Sequence, residues 1–75
     1  MFNVGDLARI KYRDLIYTTR RGGDCIGAAD KGDIVVVIDD NKTSRKVKIF
    51  HLTHGIGFIT RYYVEAINVN ESQSR

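Results

Sequence analysis

The stretch KGDIVVVIDDNKTSRKVKIFHLTHGIGFITRYYVEAI, residues 31–67, decides the fold of this chain. It opens with a Gly-Asp turn signal and five consecutive β-branched residues at 34–38, which are typical of a strand buried on much of both faces. The polar run DDNK at 39–42 then ends that strand in a turn. The whole stretch predicts connected strands around one small core. The predicted interior consists of Val35, Val37, Ile49, Ile59 and Val64.

The segment that returns after this turn, 46–52, alternates apolar and polar side chains. Because successive side chains of a strand point to opposite faces, Val47 and Ile49 are predicted to face the core. The other face is predicted to carry two lysines beside an aromatic ring, namely Lys46, Lys48 and Phe50.

The closing part of the stretch is predicted to be short elements. A glycine-bearing turn leads into a brief strand at 58–60, and a single helical turn at 61–63 precedes the last strand at 64–67. Residues 69–75 are polar and are predicted to form a flexible tail behind a single domain of residues 1–68.

The N-terminal part supplies one more strand and a long loop. Residues 4–12 are predicted to form a strand, because from residue 8 onward apolar side chains alternate with Arg9, Lys11 and Arg13, which gives the strand a basic outer face. The pattern from 14 to 31 is irregular, with a short strand or one arm of a long hairpin at 15–17. The run RRGGD at 20–24 is predicted to be a flexible, cationic tip. The sequence therefore predicts an all-β fold with five strands, a long first loop and a short helical turn before the last strand.

Size and composition restrict the class of protein. With 75 residues and one cysteine, the chain is expected to form one domain without an internal disulfide bond. It has no apolar run long enough to cross a bilayer and no signal-like N-terminus, so a reduced cytoplasmic setting without membrane contact is expected. Twelve Lys and Arg against nine Asp and Glu give a net charge of +3, which permits nucleic-acid contact without requiring it.

Three segments resemble the SH3 domain and the wider group of SH3-like barrels. ARIKY at 8–12 keeps the first Ala and the last Tyr of the ALYDY segment of SH3 domains, and KGDI at 31–34 is similar to their entry into the second strand. GFITRYYVE at 57–65 is similar to their closing G-hydrophobic-hydrophobic-P-S-N-Y-V-E. The resemblance covers residues 4–67 and implies a small closed five-stranded barrel with a first loop longer than usual.

The positions that differ from SH3 domains concern the ligand. That family holds proline-rich peptides on a surface of aromatic side chains, a Trp and a Pro, and of this surface Tyr12 and Tyr63 remain. Thr60 stands at the proline position, and a cation, Arg45 or Lys46 according to the register, stands at the tryptophan position. Because a polyproline helix docks between aromatic ridges, a proline-rich peptide is not the predicted partner.

A second resemblance is to the KOW-type barrels of ribosomal and transcription-elongation proteins. VGDLARI at 4–10 is similar to the V-G-D-x-V-R-V opening common there, and short proteins of large tailed phages often begin in the same way. This resemblance implies contact with nucleic acid or with a ribonucleoprotein.

The sequence leaves three functions open. The first is a non-enzymatic protein-binding module, an adaptor or an inhibitor of a larger cellular complex, with an aromatic and basic groove as its site. The predicted groove residues are Tyr12, Tyr17, Arg20, Arg21, Lys46, Tyr62 and Tyr63. The alternative is KOW-like binding of nucleic acid or of the ribosome or RNA polymerase. Its predicted contacts are Arg9, Lys11, Arg13, Lys46 and Lys48, with Phe50 or Tyr62 as a stacking surface. The third is a structural subunit of an assembly such as a phage particle.

Residues that carry catalysis or bind metals are sparse in this sequence. His51 and His54 form an H-x-x-H motif on a strand that runs into a turn, where the two side chains are expected on opposite faces. The single cysteine, Cys25, is expected to pack within the long loop. No enzyme activity, cofactor or metal site is therefore predicted.

Overall fold

The computed structural model describes residues 2–67, which form antiparallel β-strands and one short helix. A 3-10 helix, Arg61–Tyr63, precedes the last strand. The prediction of an all-β chain with a short helical turn at this point is confirmed. In chain order the strands are β1 Leu7–Ile10, β2 Asp14–Thr19, β3 Gly22–Ala29, β4 Ile34–Asp39, β5 Lys46–His51, β6 Gly55–Thr60 and β7 Val64–Ala66.

The seven strands form one open sheet in the order β3-β2-β6-β5-β4-β1-β7. The prediction of five strands in a closed barrel is therefore wrong for the part of the chain that the structure describes. The two additional strands, β2 and β3, are the arms of a hairpin formed by the segment that was expected to be a long loop. Tyr17 of β2 pairs with Phe58 of β6, so this hairpin extends the sheet beyond β6.

The tip of this hairpin depends on its glycines. Gly22 and Gly23 have φ values of +127° and +66°, which L-residues rarely adopt. A Cβ atom on Gly23 would also collide with the Thr18 hydroxyl. The RRGG run is thus the close of an ordered hairpin, from which the exposed Arg21 projects.

The hydrophobic core lies on one face of the sheet. The five predicted interior residues are all buried, and Val47 is buried with them, which confirms the alternation predicted for β5. Ile16 brings β2 into the same core. Within residues 2–67 the buried apolar residues are Phe2, Ala8, Ile10, Ile16, Ala29, Val35, Val37, Val47, Ile49, Ile59 and Val64.

The opposite face of β4 is less buried than predicted. Ile34 is 45% exposed, and Val36 and Ile38 are half-buried, so the outer face of 34–38 is less buried than the expected burial on much of both faces. The strands that pair with β4, β1 and β5, lie beside it in the sheet, and the residues of this outer side are not part of the core cluster.

Two further predictions concern the C-terminal tail and membrane-spanning segments. The predicted tail, 69–75, lies outside the described residues. Within the described range, no helix has the length and apolar character needed to cross a membrane.

Candidate binding surface

The candidate site lies on the outer face of the sheet. On β5 the inward positions are taken by Val47, Ile49 and His51, so the residues between them point outward. The strand register places Lys46 opposite Thr60 and Lys48 opposite Phe58. On its other side β6 pairs with β2, where Tyr17 lies opposite Phe58. Aromatic and cationic side chains from three strands therefore share one face.

Cations lie over the aromatic rings of this face. The guanidinium carbon of Arg20 lies 4.9 Å from the centroid of Phe58, and the Lys48 ammonium lies 5.9 Å from the same ring. The Lys46 ammonium lies 5.2 Å from the centroid of Tyr17. Each such contact contributes about 0.5–1 kcal/mol at an exposed site. We call these five residues, Tyr17, Arg20, Lys46, Lys48 and Phe58, the cation–aromatic surface.

Arg20 is held in place by the neighbouring strand as well as by the ring. Its Nη1 donates a hydrogen bond of 3.0 Å to the Lys46 carbonyl oxygen. Its Nη2 lies 3.5 Å from an oxygen of Asp39, which neutralises part of the guanidinium charge. These contacts fix the hairpin tip against β5, so the position of Arg20 is set by the fold.

A tyrosine pair adjoins this surface. The rings of Tyr12 and Tyr63 meet edge to face with centroids 5.7 Å apart, and we call them the tyrosine pair. The backbone N–H of Lys11 donates to the Tyr63 carbonyl oxygen at 2.7 Å, which holds the 3-10 helix beside the end of β1. Tyr62, on the same helix, is 66% exposed.

A half-buried hydrogen-bond acceptor, Asp14, joins the two parts of the site. The Thr60 N–H donates to a carboxylate oxygen of Asp14 at 2.7 Å. Asp14 follows Tyr12 in the chain, and Thr60 both pairs with Lys46 and precedes the 3-10 helix. This bond therefore brings the tyrosine pair next to the cation–aromatic surface.

A buried ion pair supports the 3-10 helix from below. Nη2 of Arg61 lies 2.5 Å from Oδ1 of Asp40, an ion-pair contact at an angle that falls outside hydrogen-bond geometry. The same guanidinium donates to the Ser44 and Asn41 carbonyl oxygens at 2.9 and 2.7 Å. Contact with Arg61 holds the pKa of Asp40 below its ordinary value, although burial opposes this shift, and Asp40 raises the pKa of Arg61 in return. Arg61 thus fastens the β4–β5 loop to the helix that carries Tyr63.

The predicted basic stripe of the first strand does not form. β1 ends at Ile10, so Lys11 and Arg13 follow a bend and do not continue the strand face of Arg9. Two of the three cations are also paired with carboxylates. Arg9 lies 3.4 Å from Glu65, and Arg13 lies 3.2 Å from Asp30. Of the predicted nucleic-acid contacts, Lys48 and Phe50 instead lie on the outer face of β5.

The two histidines stack, which corrects the expectation that they point to opposite faces. β5 ends at His51, and the chain then turns, so the ring of His54 lies 4.8 Å from that of His51. Nδ1 of His51 accepts the backbone N–H groups of Thr53 and His54, so the proton is assigned to Nε2, which donates to Asp33 at 2.8 Å. This hydrogen bond is the main cause that lowers the pKa of Asp33. The histidines therefore have a structural role in closing the β5–β6 turn.

Neither a metal cluster nor a packed thiol is found in the described part of the chain. Residues 2–67 contain no group of three or more His, Cys, Asp or Glu side chains placed to hold a metal ion. Cys25 is exposed on β3, so the expectation that it packs within a loop is wrong.

Sequence reasoning missed Phe58, which two cations share. The signal was present in the alternation of β6, where Gly57 and Ile59 face inward and Phe58 faces outward. The alternation could not predict that Phe58 pairs with Tyr17, because this pairing depends on the β2–β3 hairpin.

Searches of protein families, curated proteins and solved structures found no match to this chain.

Proposed function

We propose that this chain is a non-enzymatic protein-binding module, an adaptor or inhibitor whose outer sheet face binds an acidic segment of a partner protein. The observation that carries the proposal is the set of three cations held over two aromatic rings on one face. Carboxylates form charge-assisted hydrogen bonds with such cations, and these are stronger than neutral ones. Tyr and Arg are also the residues that most often dominate binding energy at protein interfaces.

The arrangement of the groove favours a carboxylate over a proline-rich peptide. A polyproline helix needs clefts between parallel aromatic ridges. Here Tyr12 and Tyr63 contact each other edge to face, and Lys46 covers the ring of Tyr17. The polar groups that lie over these rings are therefore ammonium and guanidinium groups, which attract anions.

We further propose that the fold belongs to the SH3-like group, as the resemblance implies. Apart from the β2–β3 hairpin, the sheet order is β6-β5-β4-β1-β7, in which five strands correspond to the five predicted. The 3-10 helix between β6 and β7 lies at the predicted helical turn. The resemblance carries the fold only, since the ligand positions have changed.

Fluorescence anisotropy with labelled peptides tests the function. A ten-residue polyglutamate peptide is the probe, and the Lys46→Gln/Lys48→Gln double variant removes two cations of the cation–aromatic surface. We expect its affinity to fall about tenfold, which corresponds to about 1.4 kcal/mol. The charge-matched control is Arg9→Gln/Arg13→Gln, which removes two cations already paired with carboxylates and should weaken binding less than about twofold. Equal losses in both variants would show a response to net charge alone and would contradict the proposal.

Binding of nucleic acid is the second candidate, because Phe50 projects from the strand face that carries Lys46 and Lys48. An exposed ring beside two cations is the arrangement that single-stranded nucleic acid uses for stacking and phosphate contact. A ten-nucleotide RNA in the same anisotropy assay decides between the two. RNA binding that weakens steeply with salt, together with no binding of the acidic peptide, would replace the first proposal by this one.

A further inference from the structure

A row of apolar side chains crosses the outer face of the sheet beside the cation–aromatic surface. The register pairs Leu7 with Val36, Val36 with Phe50, and Phe50 with Ile56. Directly paired residues of antiparallel strands point to the same side, so these four side chains form a continuous line over β1, β4, β5 and β6. We call this line the apolar row.

The apolar row is exposed although it contains large hydrophobic residues. Leu7, Phe50 and Ile56 are 40%, 38% and 54% exposed, and Val36 is half-buried. The core occupies the opposite face of the same strands, where Val35, Val37 and Ile49 lie, so the row contributes nothing to that core. Single exposed apolar residues are ordinary, whereas contiguous ones mark an interaction site.

The charges on the two sides of the row differ. Lys48 lies two residues from Phe50 along β5, and Phe58 lies two residues from Ile56 along β6. Each separation is about 7 Å, and both residues belong to the cation–aromatic surface. On the other side of the row the nearest charged residue of β1 is Arg9, which is paired with Glu65. The first flank therefore has an excess of positive charge, since its three cations face a single carboxylate, Asp39, whereas the cation on the other flank is matched by Glu65.

We infer that the apolar row seats the apolar stripe of an acidic amphipathic helix from a partner protein, with the helix carboxylates directed at the cationic flank. This inference rests on the proposed function and extends it by naming the form of the partner segment. Four strands spaced about 4.8 Å apart give a row about 14 Å long. Apolar helix residues at i, i+4, i+7 and i+8 span about 12 Å along the axis, so a helix of ten to twelve residues, roughly three turns, covers the row.

The width of a helix fits the same geometry. A helix with its side chains is about 10–12 Å across. Glutamates that border the apolar stripe can therefore reach Lys48, which lies about 7 Å from the centre of the row along the strand direction. A second copy of this chain offers a poorer match, because its own outer face carries the same cationic flank.

The test uses two peptides of identical composition. One is a fifteen-residue peptide with leucines at i, i+4, i+7 and i+8 and glutamates on both borders of this stripe, and the other is its scrambled version. We expect the patterned peptide to bind at least tenfold more tightly than the scrambled one. The Phe50→Thr/Ile56→Thr variant should remove this difference while it leaves polyglutamate binding within about twofold.

Leu52→Thr is the matched control, because Leu52 is 85% exposed but lies beyond the end of β5 and outside the row. It should bind both peptides as the unsubstituted protein does, and urea denaturation verifies that each variant is folded.

Equal binding of patterned and scrambled peptides, or an equal effect of Leu52→Thr, overturns the inference even if polyglutamate still binds. Sedimentation that shows a dimer dispersed by Phe50→Thr/Ile56→Thr also overturns it, since the row is then the seat of a second copy. Loss of polyglutamate binding by Lys46→Gln/Lys48→Gln is read separately and bears only on the proposed function.

Discussion

Removal of the charge of Asp40 should destabilise this protein more than any comparable change on its surface. The Asp40 side chain is 2% exposed and that of Arg61 is 15% exposed, so the pair is shielded from water. Asp40 also accepts the Phe2 backbone N–H at 3.2 Å, which anchors the N-terminal segment. The Asp40→Asn variant keeps the shape of the side chain and leaves the guanidinium of Arg61 buried without its counter-charge.

The expected loss follows from the cost of an uncompensated buried charge. Removing one partner of a buried ion pair costs about 3–5 kcal/mol. A chain of 75 residues has a total stability of roughly 4–11 kcal/mol at about 0.05–0.15 kcal/mol per residue. Asp40→Asn should therefore remove roughly a quarter or more of the free energy of unfolding. With a urea m-value of about 1 kcal/mol per molar, the midpoint should fall by about 3 M or more.

Urea denaturation followed by circular dichroism measures this loss, with Glu65→Gln as the matched control. That variant removes the same charge from the Arg9–Glu65 pair, whose side chains are 50% and 47% exposed. Exposed pairs contribute only about 0–1 kcal/mol, so its midpoint should move little. A loss below about 1 kcal/mol in Asp40→Asn, or equal losses in the two variants, would refute the reasoning that burial makes this pair important.

Two further predictions concern acid stability and close packing. The pKa values of Asp33 and Asp40 are lowered from 3.8 in the folded protein, so their stabilising contribution is complete above that value and is lost as the pH falls through the folded values. Urea midpoints measured between about pH 5 and pH 2 should therefore decline, and Asp33→Asn should flatten the decline; an unchanged slope in this variant would contradict the assignment. Gly57→Ala should cost about 1–3 kcal/mol in thermal or urea denaturation, because a Cβ at that position collides with Ile16 and lies 2.9 Å from the Tyr17 carbonyl oxygen. A neutral result at this glycine would mean that β2 can move away from β6.

Local patterns were sufficient to predict the central strands and the core. The alternation around Val47 and Ile49 depends only on neighbours in the chain, and both residues are buried as expected. The helical turn before the last strand was predicted for the same reason. In the barrel prediction the segment from 14 to 31 was treated as a loop, because its glycines and small residues show no period of two.

Strand β3, which the sequence did not predict, depends on long-range pairing that a local pattern does not show. Its sequence, GGDCIGAA, has a poor intrinsic preference for strand, and Gly27 has a φ of +156°. It is a strand because β2 pairs with it from Asp14–Ala29 to Thr19–Gly22 and because Ala29 enters the core. A Cβ on Gly27 would collide with the ring of His54, so this glycine also leaves room for the histidine stack. Tertiary pairing decides the structure here.

The same hairpin explains why the surface at Lys46 has a different character from an aromatic groove. A lysine at this position could remain a solvated charge, and the sequence alone gives no reason to expect more. The hairpin brings the Tyr17 ring within 5.2 Å of its ammonium group and the Arg20 guanidinium onto its carbonyl oxygen. An aromatic ring is therefore present at this site, but it lies beneath a cation. A surface of this kind places positive charge on a rigid apolar support, and this arrangement is the reason for proposing an anionic segment with an apolar stripe as the ligand instead of a neutral polyproline helix.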